Sequence, residues 1–232
     1  MARSTLKHLV NKLTRKDVSE APPPAKVEHG PAGIQQVGHR EYVGGKWDQI
    51  GNLQFEFLKA QGLEPHHVFL DVGCGSLRGG VHIIPYLEAG NYLGIEKEQI
   101  LIDAGIKQEL GRPLYESKQP QLVVSAAFEF PRFTKVPDFA LAQSLFTHLT
   151  VDHIDVCMKK LRAFVPGGCR FFATFRATDE TIANPDTSHD RRRFHYTRAR
   201  MEQLGIDNGW VPHYVGDWNH PRGQKMIEYV AD

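Results

Sequence analysis

The stretch with the clearest chemical content is Asp71-Val72-Gly73-Cys74-Gly75, which closes the apolar run Val68-Phe69-Leu70. Gly73 and Gly75 carry no Cβ, so a ligand can approach the backbone around Cys74 closely. A carboxylate at Asp71 repels a pyrophosphate and suits a cationic ligand end such as an α-ammonium. A second acid, Glu96, ends the run Asn91-Tyr92-Leu93-Gly94-Ile95, where it can accept from both hydroxyls of a ribose. The sixth position from Gly73 is Arg78, so the G-x-G-x-x-G dinucleotide pattern is incomplete and NAD-dependent redox chemistry is disfavoured. The Gly-Lys-Ser/Thr of a nucleoside-triphosphate loop is absent from this turn.

These residues need strands to hold them and helices to cover the strands. Apolar runs at 68–72, 91–96, 122–125, 138–142 and 169–175 read as strands, and amphipathic stretches at 47–61, 78–89, 99–110, 151–164 and 197–208 as helices. In 151–164, Ile154, Cys157, Met158 and Leu161 repeat at three and four, with Thr150 as N-cap and Pro166-Gly167-Gly168 as stop. Such alternation predicts an α/β fold, a Rossmann-like doubly wound sheet of about seven mostly parallel strands. Runs 210–215 and 225–230 are too close in sequence for a helix between them and predict an antiparallel hairpin ending the sheet.

The length of 232 residues fits one domain with an appendage. Residues 1–38 are expected to be separate: a basic amphipathic helix over 3–16, with five positive charges and Leu6, Leu9, Val10 and Leu13 on one face, then Ala21-Pro22-Pro23-Pro24 as a stiff linker. That helix suits a weak membrane-surface or protein contact, or packs on its own domain. Residues 39–232 form the domain. The 28 basic and 27 acidic residues give a net charge of +1, which argues against a nucleic-acid coat protein. No apolar run approaches a membrane span. Three scattered cysteines predict neither a disulfide framework nor a metal site, and with no secretory signal the expected compartment is the cytoplasm.

Asp71–Gly75, Gly94-Ile95-Glu96, the segment 138–149, the turn 161–168 and the terminal hairpin, in this order, resemble the class I S-adenosylmethionine-dependent methyltransferases of the bacterial small-molecule type. The resemblance spans about residues 40–230 and implies that fold and S-adenosylmethionine as cofactor, with S-adenosylhomocysteine as product. It implies that Asp71, Gly73, Cys74 and Gly75 line the methionine portion. It assigns Glu96 to the ribose, Lys97, Ser125, Ala126 and Ala127 to the adenine, and Gln143 and Ser144 to the sulfonium end. The family's third glycine falls at Leu77, a departure for which Gly79-Gly80 can compensate.

His148, just after the fourth strand, is the candidate general base, with helix capping as its alternative role. Glu41–Trp47 is a glycine-hinged candidate lid anchored by Tyr42 and Trp47. Residues 176–196 form the longest irregular stretch; Arg176 and His195 within it, and Asp217, Trp218 and His220 in the hairpin loop, are candidate acceptor-binding residues. Its arginines suit an anionic acceptor. The expected function is O-methylation of a small molecule by in-line transfer. Alternatives are a nucleic-acid methyltransferase, against which the Ala142-Gln143-Ser144-Leu145-Phe146 segment lacks an Asn/Asp-Pro-Pro-aromatic motif, and a non-catalytic binding or scaffolding protein of the same fold.

Overall fold

The computed structural model describes residues 27–232; the expected helix at 3–16 lies outside them. Seven strands form one sheet: β1 (Phe69–Val72), β2 (Tyr92–Glu96), β3 (Gln121–Val124), β4 (Phe139–Ala142), β5 (Arg170–Phe175), β6 (Val211–Gly216) and β7 (Lys225–Val230). Their order is β3-β2-β1-β4-β5-β7-β6. The first five run parallel, whereas β7 is antiparallel to both β5 and β6, so the terminal hairpin forms as its short connection requires. Chain direction from β1 is to β2 and β3 on one side and to β4 and β5 on the other, which makes the β1/β4 boundary the topological switch point.

The helices are α1 (Gly30–Val37), α2 (His39–Tyr42), α3 (Trp47–Ala60), α4 (Gly80–Tyr86), α5 (Gln99–Ala104), α6 (Arg112–Lys118), α7 (Val151–Phe164) and α8 (Arg198–Asp207). Helix α5 runs on into a π-helical turn at Gly105–Leu110. Thr150 and Thr197 cap α7 and α8, each accepting from the amide three residues on.

The sheet is buried on both faces, which is why its parallel strands read as continuous apolar runs. Leu70, Val72, Phe171 and Ala173 pack on one side with Met158 and Leu161 of α7 and Met201 of α8. Phe69, Leu141 and Phe172 pack on the other with Leu58 of α3 and Ile83 of α4. The period of two that sends Phe69 to the α3/α4 side sends Asp71 there as well.

Residues 30–37, expected in the separate N-terminal segment, form α1 with Gly33 and Ile34 buried. The Gly30 amide donates to the Tyr42 hydroxyl at 2.7 Å, so the packed structure begins before residue 38.

Candidate active site

The turn after β1 is held by its neighbours. Gly73 has φ 76° and Gly75 φ 54°, values that favour glycine. The Gly73 amide donates to the Ile95 carbonyl at 2.8 Å. A Cβ on Gly73 would stand 3.2 Å from the Leu145 side chain, and one on Gly75 would stand 3.0 Å from Val43. Leu77, at the family's third-glycine position, adopts φ 66° while fully buried, so the loop keeps a left-handed residue without a glycine. Close packing comes from the next two residues: a Cβ on Gly79 would meet Gln54 Oε1 at 2.8 Å, and one on Gly80 would meet the Tyr92 hydroxyl at 3.0 Å.

Both acids are buried. The Asp71 carboxylate accepts from the Tyr92 hydroxyl at 2.7 Å. Burial raises its pKa to about 6, against the opposing pull of Tyr92 and Arg78. Glu96 is also raised by burial, partly offset by backbone donors. Its Oε1 accepts from the Lys97 and Glu98 amides at 2.9 and 3.1 Å, and its Oε2 accepts from the Gly75 amide at 3.1 Å. Glu96 therefore ties the β1 turn to the end of β2. A carboxylate has about four acceptor positions, so these three donors leave room for a further hydroxyl.

Two adjoining cavities lie beyond the carboxyl ends of the strands. The larger, of about 400 Å³, is lined by Asp71, Gly73, Cys74, Gly75, Gln143 and Ser144 on its strand side. The smaller, of about 220 Å³, runs toward β3 and is lined by Ile95, Ser125, Ala126, Phe128 and Leu149. Gly73, Glu96, Lys97, Leu145, His148 and Asp190 border both. Glu96 thus stands where a polar chamber meets a smaller, more apolar one.

A hydrogen-bonded group fixes the end of β4. The Ser144 amide donates to Thr174 Oγ1 at 2.7 Å, and the Ser144 and Thr174 hydroxyls both donate to Gln224 Oε1, at 3.0 and 2.8 Å. Gln143 Oε1 is buried without a partner among the described residues. His148 Nδ1 lies 2.8 Å from the Arg192 carbonyl oxygen. A carbonyl only accepts, so Nδ1 carries the proton and Nε2 keeps its lone pair. Burial lowers the His148 pKa and outweighs the backbone contacts that raise it, which favours this neutral form.

The Glu41–Gly44 segment folds over the larger cavity. Tyr42 donates to Asp190 Oδ2 at 2.7 Å, and Lys97 pairs with Asp190 at 2.9 Å. Burial, then Asp190, raises the Tyr42 pKa. Burial alone would lower Lys97, but Asp190 and Glu98 outweigh it and raise it. Arg78 donates to the Val43 and Gly45 carbonyls at 3.1 Å each, and Arg222 donates to the Gly44 carbonyl. The lid is thus clamped on both sides.

Several candidates lie elsewhere. Trp47 is buried at the start of α3, edge-on to His39 and under Arg40, outside both cavities. Ala127 is exposed; its carbonyl accepts from Lys160, and it lines neither cavity. His195 is held by Asn184 through its backbone, outside the cavities. Asp217 is a surface partner of Lys225. Trp218 is buried against Phe57, with its indole N–H donating to the Gln224 carbonyl at 3.0 Å. His220 sits behind Gln143, with 3.1 Å between its Nε2 and the amide; burial and then Arg78, Arg222 and Arg176 push its pKa down to about 4. Arg176 does line the larger cavity. Arg191 and Arg193, two of the loop arginines expected to meet an anionic acceptor, do line the larger cavity. Cavity residues not singled out from sequence include Asp190, Arg222 and Gln224. Arg222 stands beside candidates that were singled out, and only the turn geometry decides which neighbour faces inward.

The arrangement accommodates a nucleoside carrying an amino-acid tail. The glycine cradle gives close backbone approach, the smaller chamber suits a base, Glu96 at the junction suits a ribose, and buried Asp71 suits an ammonium. No known family profile matches the chain. Among solved structures, magnesium protoporphyrin IX methyltransferase (ChlM) from Synechocystis PCC 6803 with bound SAM matches with TM-score 0.61 at 15% identity, over 83% of this chain and 89% of that one. The CcbJ methyltransferase from Streptomyces caelestis matches with TM-score 0.60 at 15% identity, over 82% and 92%. The glycopeptide N-methyltransferase MtfA complexed with S-adenosylmethionine matches with TM-score 0.60 at 12% identity, over 78% and 94%. The chain has the class I S-adenosylmethionine-dependent methyltransferase fold.

Proposed function

We propose that the protein is an S-adenosylmethionine-dependent methyltransferase acting on a small molecule, with oxygen as the acceptor atom. The observation that carries this reading is the pair of cavities joined at Glu96, on a glycine cradle at the switch point of this fold. When bound, the cofactor would supply an electrophilic methyl group on a sulfonium centre, with the neutral thioether as leaving group.

The chain's residues supply position and proton transfer. Asp71 takes the ammonium, Glu96 a ribose hydroxyl at its remaining acceptor position, and the chamber at Ser125, Ala126 and Phe128 the base. Gln143 and Ser144, locked by Thr174 and Gln224, form the floor where the acceptor meets the methyl group. His148, with Nδ1 fixed on the Arg192 carbonyl, offers Nε2 to take the proton of an acceptor hydroxyl. The clamped Glu41–Gly44 lid covers one side of the larger cavity. The described cysteines are free and buried, which fits a reducing compartment and supports a cytoplasmic location.

Thermal unfolding tests the cofactor assignment. S-Adenosylhomocysteine should raise Tm in a saturable way and NAD should not; the reverse result overturns the reading.

A further inference from the structure

The charged residues around the larger cavity come from both sides of the switch point. At the ends of β1 and β2 stand Asp71 and Glu96, with Arg78 and Lys97 beside them. On the other side guanidinium groups collect alongside Asp190, which Lys97 engages. Arg176 follows β5, Arg193 lies in the loop between β5 and α8, and Arg222 lies in the loop between β6 and β7; all three line the cavity. None makes an ion pair with a carboxylate among the described residues. Arg176 Nε is buried with no hydrogen-bond partner there, which is costly for a charged donor unless a ligand supplies the acceptor.

The neighbours of these groups are one another. Burial lowers the Arg176 pKa, and Arg193 and Arg222 lower it further. Burial and then Arg222 bring Arg78 down to about 10, with Asp71 the acid opposing the shift. Of the other acids on the cavity wall, Asp190 and Glu98 are engaged by Lys97, and Glu41 is exposed on the lid with its carboxylate beside Gly45. A bound cofactor with two cationic groups and one carboxylate adds further positive charge. A partner for the three unpaired arginines can come with the other substrate.

We propose that the methyl acceptor carries an oxyanion group, a carboxylate or a phosphoryl, that seats on Arg176, Arg193 and Arg222 across the cavity from the cofactor acids. The assignment rests on the methyltransferase reading and adds the acceptor class to it. Planar guanidinium groups suit both oxyanions because each presents paired donors to two oxygens. Arg176, half-buried at the sheet, is the anchor; Arg193 and Arg222 form an exposed rim. Arg222, which also holds the Gly44 carbonyl, couples anion binding to the closed lid.

The test is calorimetric titration of the full chain, saturated with S-adenosylhomocysteine at low ionic strength, with inorganic phosphate, D-glucuronate and glucose. At least one of the two anions should bind saturably and glucose should not; the tighter anion identifies the group. Arg176→Gln and Arg193→Gln should each weaken that binding by about tenfold or more, as expected for loss of a charge-assisted contact, while S-adenosylhomocysteine affinity stays within about twofold. Should Arg176→Gln fail to fold, the exposed Arg193→Gln carries the comparison. The proposal is overturned if neither anion saturates the wild-type protein, or if wild type and variants bind the anion equally. Failure to bind S-adenosylhomocysteine is a separate result and strikes the methyltransferase reading itself.

Discussion

Asp71 should cost the protein stability in exchange for cofactor binding, and Asp71→Asn exposes the exchange. The carboxyl is 3% exposed and has its pKa raised from 3.8 to about 6, chiefly by burial. Holding it ionised at neutral pH therefore costs roughly 3 kcal/mol. The folded-state pKa lies above the unfolded one, so the folded chain binds this proton more tightly between about pH 4 and 6. The associated stability is present below pH 4, is lost as pH rises through 6, and is level above it. An asparagine can still accept from the Tyr92 hydroxyl but never ionises. Asp71→Asn should thus be more stable than wild type at pH 7.5, by up to roughly 3 kcal/mol, and that margin should be larger than at pH 5 by roughly 1 kcal/mol. Urea denaturation of both proteins at the two pH values reads the margin directly. Calorimetry at pH 7.5 should show S-adenosylhomocysteine bound about tenfold or more weakly by the variant, through loss of the ion pair with its ammonium. A margin unchanged between the two pH values, within about 0.5 kcal/mol, would refute the burial argument.

Three further outcomes follow from the geometry. Glu96→Ala removes the acceptor of three backbone amides and of the ribose, so S-adenosylhomocysteine affinity should fall by about a hundredfold in calorimetry; a change under threefold would remove the ribose role. His148→Gln should lower kcat on the cognate acceptor by roughly a hundredfold with little change in cofactor affinity, and should abolish the loss of rate on acidification; because the His148 pKa is lowered, that loss in wild type should begin below the ordinary histidine range. Trp218→Ala should cost roughly 3–5 kcal/mol in urea denaturation without altering S-adenosylhomocysteine affinity once folded, since its indole packs on Phe57 and lines neither cavity. A binding loss without a stability loss would return Trp218 to the site.

The strands and most helices could be read from sequence because each buries a regular face. Helix α7 repeats Ile154, Cys157, Met158 and Leu161 inward, and the parallel strands are apolar throughout. Helix α1 was hidden: Gly30, Pro31 and Gly33 weaken its propensity, and its packing depends on a distant hydroxyl, that of Tyr42. Helix α6 buries no residue fully, so its pattern carries little signal. Among site residues, those bound to strand ends were legible, because position in an α/β sheet implies exposure to the ligand cleft. Those in loops were legible only in part: His148 does border both cavities, but other loop candidates do not. In Asp217–Arg222 the chemically rich side chains Asp217 and Trp218 turn to solvent and core, while Arg222 reaches the cavity. Trp47 and Trp218 show the general difficulty that aromatic residues fill cores as readily as they line pockets.

The same topology explains why a near-neutral chain can hold a strongly divided site. With β1 at the centre of the parallel strands, loops after β1 and β2 fall on one side of the crevice and loops after β5 and β6 on the other. In the proposed function the acids at the strand ends of the first side meet the ammonium and ribose of the cofactor. The unpaired arginines in the loops of the second side would then meet the acceptor. Net charge sums over both and so reports neither: 28 basic and 27 acidic residues are compatible with local clusters of either sign around one cavity. His148 stands at the border, on the wall common to both cavities. Its environment, depressed by burial and by Arg176, keeps the imidazole neutral beside the arginines. A base so placed can take a proton without first giving one up, and an acceptor anchored by its oxyanion on the arginine side would present its hydroxyl on the side where that base and the cofactor meet.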